Sequence, residues 1–194
     1  VMNLEDDRDE LERRIMAACK HYGISAGDLT DRLFLDSGRE QEVVVAVDRR
    51  REGYMVVRPV VDALVTLLKR HEIDVLIVDP FVSSHQVSEN DNGLIDKVAK
   101  LWSQIADQTN CAVEIVHHVR KVQDREVTVE DARGAVPLLA AARSARVLNR
   151  MTEEQAQGAS VPPDERFTIF GVQRGKSNLA PLSAASEWRK LVSV

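Results

Sequence analysis

The fold class of this 194-residue chain is decided by the stretch DVLIVD at residues 74–79. Its four central residues are apolar, and an aspartate stands at each end. A continuous apolar run of this length is typical of a parallel strand with both faces covered, whereas a strand with one wet face alternates apolar and polar residues. The run therefore predicts a central strand in a sheet that is flanked by helices.

Helix-like and strand-like segments alternate on both sides of this run. Residues 1–4 form a short apolar segment, and apolar residues recur at helical spacing over residues 7–22. Further helices are predicted at residues 59–70, where Pro59 suits the first turn, and at residues 94–108. This order predicts an α/β fold with a parallel central sheet.

The rest of the chain gives weaker signals. Short β-branched or apolar stretches predict further strands at residues 32–35, 43–47, 112–116, 144–150 and 166–172. The small apolar stretch at 133–142 predicts a helix, and the mixed charges of 120–131 predict a mobile loop. Residues 174–178 are predicted to turn the chain, so that 187–194 returns as a C-terminal β-hairpin. We expect a single domain over residues 1–194.

Composition and charge exclude several classes of protein. The chain has 26 basic and 31 acidic side chains and a formal net charge of -5, so it is not a non-specific polyanion binder as a whole. Its apolar runs fall far short of the roughly 18 residues that cross a bilayer. Two cysteines are a poor disulfide framework, and 4% aromatic residues argue against a base-stacking platform. We expect a reducing, cytoplasmic location.

Candidate site residues follow three predicted strands. Ligands of open parallel sheets gather at the carboxyl ends of the strands, where Glu5, Asp79 and the pair His117-His118 stand. Asp79 has the form of a carboxylate that holds Mg²⁺ through water, or it simply caps a buried strand. Glu5 is placed to deprotonate an attacking water, or to favour the start of a helix.

The two histidines are adjacent in sequence. On a strand they point to opposite faces, so they do not easily bind one metal ion together. One of them is a candidate to sense a γ-phosphate at the strand end while the other packs. The alternative is a surface pair at a loop entrance.

Three basic side chains are candidates for contacts across a subunit boundary. Arg143 stands among alanines and needs an anion, which is either a phosphate bound by a neighbour or a carboxylate of its own fold. Arg174 and Lys176 are predicted at a hairpin tip, from which they reach a neighbouring subunit or stay solvated. The GKS sequence at 175–177 is not a Walker A motif, because the required earlier glycine position holds Phe170.

A family resemblance is carried by five segments in order. They are NLEDDRDELERRI at 3–15, DVLIVDPF at 74–81, IVHHVRK at 115–121, RGAVPLLAAARSARVLNRMT at 133–152 and RFTIFGVQRGKSNLAP at 166–181. The series resembles the RecA-like core of the hexameric plasmid RepA-type replicative helicases and their AAA_25-type relatives. The resemblance extends from Met2 to about Trp188.

The resemblance implies an ATPase that binds ATP and Mg²⁺ between the subunits of a homo-oligomeric ring, with the hexamer as the family's form. The implied site residues are Glu5 as the base that polarises water, Asp79 as the Walker B ligand of Mg²⁺, His118 as the γ-phosphate sensor, Arg143 as the arginine finger of the next subunit, Arg14 beside the nucleotide base, and Lys176 and Arg174 as cations that reach the neighbouring subunit's phosphates. Residues 120–129 correspond to a loop that faces the central channel, where single-stranded DNA would pass. The implied activity is that of a DNA helicase or a replication or recombination motor.

One departure from the family concerns the phosphate-binding loop. The family's Walker A strand and loop precede the NLED strand, whereas this sequence begins at Val1. We therefore expect an N-terminally truncated ATPase domain that binds nucleotide poorly by itself. The alternative is a non-catalytic assembly module that has lost hydrolysis. A metal-dependent hydrolase ranks last, because the sequence has no HExxH spacing.

Overall fold

The chain divides into two compact units in the computed structural model, which describes residues 1–119, 125–132, 135–178, 181 and 186–194. Unit 1 contains residues 1–118 together with Val194, and unit 2 contains residues 119–193. Strands and helices occur in both units, which confirms the predicted α/β class. The expectation of one domain over the whole chain stays a prediction.

Unit 1 carries the helices and strands that follow the N-terminus. Its described strands are β1 (Met2–Asn3), β2 (Asp36–Ser37), β3 (Ala46–Arg49), β4 (Gly53–Val56), β5 (Val75–Asp79), β6 (His85–Gln86) and β7 (Ala112–Ile115). Its described helices are α1 (Arg8–Tyr22), α2 (Ala26–Leu29), α3 (Arg58–Arg70) and α4 (Asn92–Thr109). A short 3-10 helix, Phe81–Ser84, follows β5.

A sheet of four parallel strands, in the order β2-β1-β5-β7, is the centre of unit 1. The DVLIVD segment forms β5, which pairs with β1 on one side and with β7 on the other. Leu76 and Val78 are buried, but Val75 is 52% exposed because it lies at the amino-terminal rim of the strand. The central position of this strand is confirmed, while its cover on both faces is incomplete.

The helices of unit 1 have the predicted ends. Asp7 caps α1 by accepting the backbone N–H of Glu10 at 2.9 Å, and Gly23 ends the helix with a left-handed φ of 67°. Pro59 lies in the first turn of α3, and Trp102 of α4 is fully buried. Among the described helices, none is long and apolar enough to cross a membrane.

An antiparallel hairpin of β3 and β4 corrects the prediction for residues 32–47. Residues 32–35 form no strand, and the partner of β3 is β4, which the sequence left unassigned. The hairpin turns at residues 50–52, where two arginines and a glutamate follow one another. Gly53 then takes a φ of 72°, which an L side chain adopts only with strain. The turn was missed because its signal is this one glycine.

Unit 2 contains an antiparallel sheet in the order β10-β9-β8. Its described strands are β8 (Ser144–Arg150), β9 (Ile169–Ser177) and β10 (Glu187–Lys190), and its helices are α5 (Ala135–Ala141) and α6 (Glu153–Gly158). β10 pairs with β9 in antiparallel register, from Glu187 opposite Val172 to Lys190 opposite Ile169. The predicted C-terminal β-hairpin is therefore confirmed.

The predicted turn at residues 174–178 is wrong. Arg174 and Lys176 lie inside β9, where they pair with Arg146 and Ala145 of β8. Between them, a Cβ added to Gly175 would lie 2.3 Å from Cγ1 of Val129. This glycine therefore serves close packing and makes no turn, so the two cations are not at a hairpin tip.

The expected mobile loop is partly ordered by hydrogen bonds over residues 125–131. A 3-10 helix, Val129–Asp131, ends this segment, and the backbone N–H and side chain of Thr128 both bond to Asp131. Arg125 binds the same carboxylate with two N–H groups. Residues 120–124, with Arg120 and Lys121, and Arg133 lie outside the described residues. The prediction of mobility is therefore wrong for the described part.

Candidate active site

The carboxyl ends of β1 and β5 lie side by side. Asn3 is opposite Asp79 in the parallel register, and the next backbone N–H, of Leu4, donates to the carbonyl of Asp79 at 2.7 Å. The chain then turns through Glu5 and Asp6 into α1. The fold thus brings the predicted residues Glu5 and Asp79 to one edge of the sheet, as expected of neighbouring parallel strands.

Asn3 joins the two strand ends and is not among the residues predicted from the sequence. Its side-chain Oδ1 accepts the backbone N–H groups of Glu5 at 3.0 Å and Asp6 at 2.7 Å. Its Nδ2 lies 3.4 Å from Oδ2 of Asp6 and 3.4 Å from Oδ2 of Asp79. The residue is 4% exposed. Its signal in the sequence is a polar residue inside an otherwise apolar strand, followed by an aspartate three residues later.

The segment that follows β2 supports this turn from the other side. Ser37 Oγ donates to the carbonyl of Asp6 at 2.7 Å, and Arg39 Nε donates to the carbonyl of Glu5 at 2.7 Å. A Cβ on Gly38 would lie 2.7 Å from the Cα of Leu4. Because the nearest atoms are backbone, only glycine fits this position without displacement of the turn.

Carboxylates at this edge differ in exposure. Glu5 is exposed, whereas Asp79 is half-buried, and 31% of the Asp6 side chain is accessible. Glu5 therefore projects its carboxylate towards solvent while its backbone is held on both sides of the peptide unit. A carboxylate so placed can accept a proton from a water molecule.

Arg14 of α1 reaches back to this turn. Its Nη1 lies 2.7 Å from Oδ2 of Asp6, and its Nε lies 2.9 Å from Oε1 of Glu10. The hydrogen bond with Glu10 and the charge of Asp6 raise the pKa of the guanidinium above its ordinary value. The expected contact of Arg14 with a nucleotide base stays a prediction, since this cation binds two carboxylates here.

The predicted histidine pair follows the end of β7, and its two members have different surroundings. His117 packs its ring 5.5 Å from that of Phe81, and its Nε2 lies 4.0 Å from Oε1 of Glu89. His118 is exposed. The backbone N–H of Phe81 donates to the carbonyl of Val116 at 2.7 Å, which ties the end of β7 to the segment after β5. His118 is therefore the member available to a ligand.

A buried histidine, His85, extends this cluster. It is 5% exposed, and its ring centroid lies 4.6 Å from that of Phe81. Burial lowers the pKa of His85, Glu89 opposes this shift, and His117 adds to it. His85 is not among the predicted site residues, because it lies in a stretch whose composition resembles a polar loop.

The carboxyl edge of the sheet fits a hydrated magnesium ion. Among the described residues, no group of three histidine, cysteine or acidic side chains is arranged to hold a metal ion. Mg²⁺ beside a nucleotide, however, is usually held by one or two carboxylates, with waters and phosphate oxygens as the other ligands. Asp6 and Asp79 share one amide donor and provide such a pair. The sequence contains no GxxxxGK[ST] motif, so its own residues form no Walker A cradle.

The predicted trans-acting cations lie at one end of the β8–β9 ladder in unit 2. Arg143 is exposed, and its carbonyl accepts the N–H of Asn178 at 3.0 Å. Arg174 lies 3.7 Å from Glu187 through Nη2 and Oε1, and Lys176 Nζ donates to the carbonyl of Leu139. Arg174 and Lys176 therefore contact groups of their own unit, whereas Arg143 directs its guanidinium to solvent.

Comparison with protein families gives a match over the N-terminal part of the chain. The AAA_25 family, described as an AAA domain, matches residues 1–124. The chain belongs to the AAA_25 family. The matched segment includes Glu5, Arg14, Asp79 and His118, and it ends before the three cations of unit 2. A domain of the AAA type is an ATPase-type domain, which agrees with the coarse functional expectation.

Comparison with solved structures shows the fold. A solved helicase ATPase domain superposes with a TM-score of 0.59 over 95% of this chain and 68% of that chain, at 13% sequence identity. The likeness confirms the RecA-like α/β architecture of a helicase ATPase domain. No curated protein matches the sequence.

Proposed function

We propose that this AAA_25 chain belongs to an ATP-hydrolysing RecA-like ring ATPase that acts as a DNA helicase or as a motor in replication or recombination. One observation carries the proposal. Glu5 and Asp79 stand on adjacent parallel strands, at the ends where ligands of open α/β sheets bind, and the backbone of one strand end bonds directly to the other. A catalytic base and a ligand of Mg²⁺ need this proximity.

In the proposed reaction, the chain's carboxylates have separate roles. Bound Mg²⁺ would neutralise negative charge on the phosphates of ATP. Asp79, with Asp6 beside it, would hold that ion through its water ligands. Glu5 would orient the attacking water and accept its proton at the carboxylate, because its side chain is exposed while its backbone is fixed by Asn3 and Arg39.

The remaining site residues extend the proposal to the ring. His118 would contact the γ-phosphate from the end of β7, and Arg14 would face the nucleotide base. Arg143 would enter the neighbouring subunit's site as an arginine finger, where a cation stabilises the charge of the transition state. Lys176 and Arg174 would approach the same phosphates, which requires that they leave their present partners. Residues 120–129 would face single-stranded DNA in the channel.

The proposal is tested by replacing Glu5 with glutamine. Glu5→Gln keeps the shape and removes the base, so we expect ATP turnover to fall by about 10² to 10³ while nucleotide affinity changes less than about twofold. Glu12→Gln is the matched control, because it removes a carboxylate from the exposed side of α1. Turnover that survives Glu5→Gln as well as it survives Glu12→Gln contradicts the role of Glu5.

A second candidate is the assembly module without hydrolysis. It is favoured by the contacts of Lys176 with the Leu139 carbonyl and of Arg174 with Glu187, which occupy both cations within their own unit. A module of this kind forms the same oligomer with or without nucleotide. Sedimentation of the protein with and without Mg²⁺ and ATP separates the two candidates, since a nucleotide-dependent ring supports the ATPase.

A further inference from the structure

The side chain of Asn3 makes two different sets of contacts. Its Oδ1 closes the turn at Glu5 and Asp6 by accepting two backbone N–H groups. Its Nδ2 faces one carboxylate oxygen of Asp6 and one of Asp79, which lies 76 residues along the chain. The first set requires only an acceptor, whereas the second requires a donor.

We propose that Asn3 is a positioning residue that locks the Glu5 turn to the Asp79 strand end, so that the base and the cation ligand keep one relative placement. The inference rests on the proposed function, because it concerns the same carboxylates. Asn3 itself is buried and does not touch the reacting atoms.

The donor is the part of Asn3 that carries this inference. Two carboxylates that approach one point repel each other, and an N–H group between them offsets part of that repulsion. At 3.4 Å each contact is long, so neither is strong alone. Together they oppose the outward movement of either carboxylate. Groups that orient metal ligands in this way commonly change metal affinity or activity by about tenfold or more when they are removed.

A residue that only forms the turn gives a different expectation. Aspartate and serine also accept backbone N–H groups two and three residues ahead, so either side chain can maintain the turn. Asn3→Asp keeps the acceptor in place and substitutes an oxygen for the donor. Asn3→Ser keeps an acceptor without an added charge. A turn former tolerates both substitutions, whereas a positioning residue tolerates neither.

Asn149 of unit 2 provides the matched control. It is also a buried asparagine, 7% exposed, and its amide bonds to the backbone N–H and carbonyl of Val127. Asn149→Ser therefore removes a buried amide of the same kind without removing a donor to Asp6 or Asp79. Loss of stability alone is matched by this variant.

The experiment measures turnover and cation binding in the wild type and the three variants. Steady-state hydrolysis gives kcat, the KM for ATP and the Mg²⁺ concentration at half activity. Titration with Mn²⁺ in the presence of ADP, followed by the electron paramagnetic resonance signal of free Mn²⁺, gives a Kd that does not depend on hydrolysis. For Asn3→Ser and Asn3→Asp we expect kcat to fall about tenfold, with KM changed less than about threefold.

Cation binding gives the second readout. We expect the Kd for Mn²⁺ to rise about tenfold in Asn3→Ser and to stay at the wild-type value in Asn149→Ser. Asn3→Asp adds a carboxylate near the ion, so its Mn²⁺ affinity is not used and its kcat decides. If Asn3→Ser does not fold, the kcat of Asn3→Asp, which retains the turn acceptor, tests the inference.

The outcomes separate the inference from the proposed function. Wild-type hydrolysis together with wild-type kcat in both Asn3 variants overturns the positioning role and leaves the ATPase intact. Absence of hydrolysis in the wild type, with Mn²⁺ binding that Asn3→Ser weakens and Asn149→Ser does not, overturns hydrolysis and supports the positioning role. Absence of Mn²⁺ binding in the wild type overturns both.

Discussion

Two buried asparagines, Asn3 in unit 1 and Asn149 in unit 2, hold their surroundings in different ways. The amide of Asn149 accepts the N–H of Val127 at 2.9 Å and donates to the Val127 carbonyl at 2.8 Å, as a neighbouring strand would. The amide of Asn3 makes short bonds through Oδ1 but lies 3.4 Å from each of two carboxylates through Nδ2. Residue type and burial are alike, and only the partners differ.

The difference shows what separates a support from a site in this molecule. Near Asn149, the one acidic side chain adjacent to Val127 is Glu126, whose two oxygens accept amide N–H groups of Gln155 at 2.6 Å and Gln173 at 3.2 Å. That carboxylate has short neutral partners. At Asn3 the carboxylates of Asp6 and Asp79 share one donor at long distance, which leaves oxygen atoms for a further ligand.

The largest expected effect comes from Gly38, which lies against the turn at Asn3. In Gly38→Ala the new Cβ meets backbone atoms of Leu4 at 2.7 Å, so we expect a loss of about 3 kcal/mol in the free energy of unfolding of unit 1. Denaturant unfolding followed by ¹⁹F NMR of 5-fluorotryptophan reports unit 1 through Trp102 and unit 2 through Trp188. Gly158→Ala is the control, since no atom lies within 4 Å of its added Cβ.

A smaller effect is expected at Gly175, which supports the segment near Asn149. In Gly175→Ala the Cβ meets the side chain of Val129, which can move, so we expect a loss of about 2 kcal/mol in unit 2. Adding Val129→Ala removes the clash, and the double variant should recover part of this loss in a double-mutant cycle. Strict additivity of the two substitutions contradicts the packing role of Gly175.

These two glycine variants also sharpen the comparison of the asparagines. Gly38→Ala should weaken Mn²⁺ binding, because it displaces the turn that carries Asp6. Gly175→Ala should leave the Kd for Mn²⁺ unchanged at temperatures where the protein stays folded. Equal effects of both variants on cation binding break the distinction between site and support.

Removal of the α1 cap should have a moderate effect. Asp7→Ala deletes the acceptor for the N–H of Glu10 at the start of the helix, directly after the turn. We expect a loss of about 1 kcal/mol in the thermal or denaturant stability of unit 1. Asp7→Asn keeps an acceptor and should retain most of the stability. If the alanine and asparagine variants are equally stable, the cap contributes nothing measurable.

The smallest effect concerns pH and His85. Because burial lowers the pKa of His85, the unfolded chain binds a proton near pH 6.5 before the folded protein does. Its contribution to stability is therefore complete above pH 6.5 and is lost as the pH falls towards the folded pKa. His85→Phe should flatten the decline in unfolding free energy between about pH 7.5 and about pH 5.5. An unchanged slope shows that other groups, such as His117 with Glu89, account for the decline.

The sequence predicted those parts of the fold whose signals are local. Apolar runs and helix ends located β5, α1, α3 and α4, because buried strands and capped helices are specified by a few adjacent residues. The signal failed where a residue type has two explanations. Gly175 resembles a turn residue in the sequence, but it is a glycine because Val129 packs against it in space.

The candidate site was predictable only in part for the same reason. Strand-end polarity selected Glu5, Asp79 and His118, and the chain order is enough to place them on one edge. Asn3 and Gly38 were missed, because their roles depend on contacts with residues distant in sequence. Periodicity contains no record of such contacts. The functional roles of all selected residues stay predictions until the variants are measured.

The contacts that shape the Asn3 turn have a consequence for the order of folding. The Asn3–Asp79 contact spans 76 residues, and the Ser37–Asp6 contact spans 31. Helix α1 and the β3–β4 hairpin, in contrast, form from neighbouring residues. Since long-range contacts form more slowly than local ones, the edge of the sheet should assemble after its flanking elements. During biosynthesis, the growing chain therefore carries its helices before it carries a place for the cation.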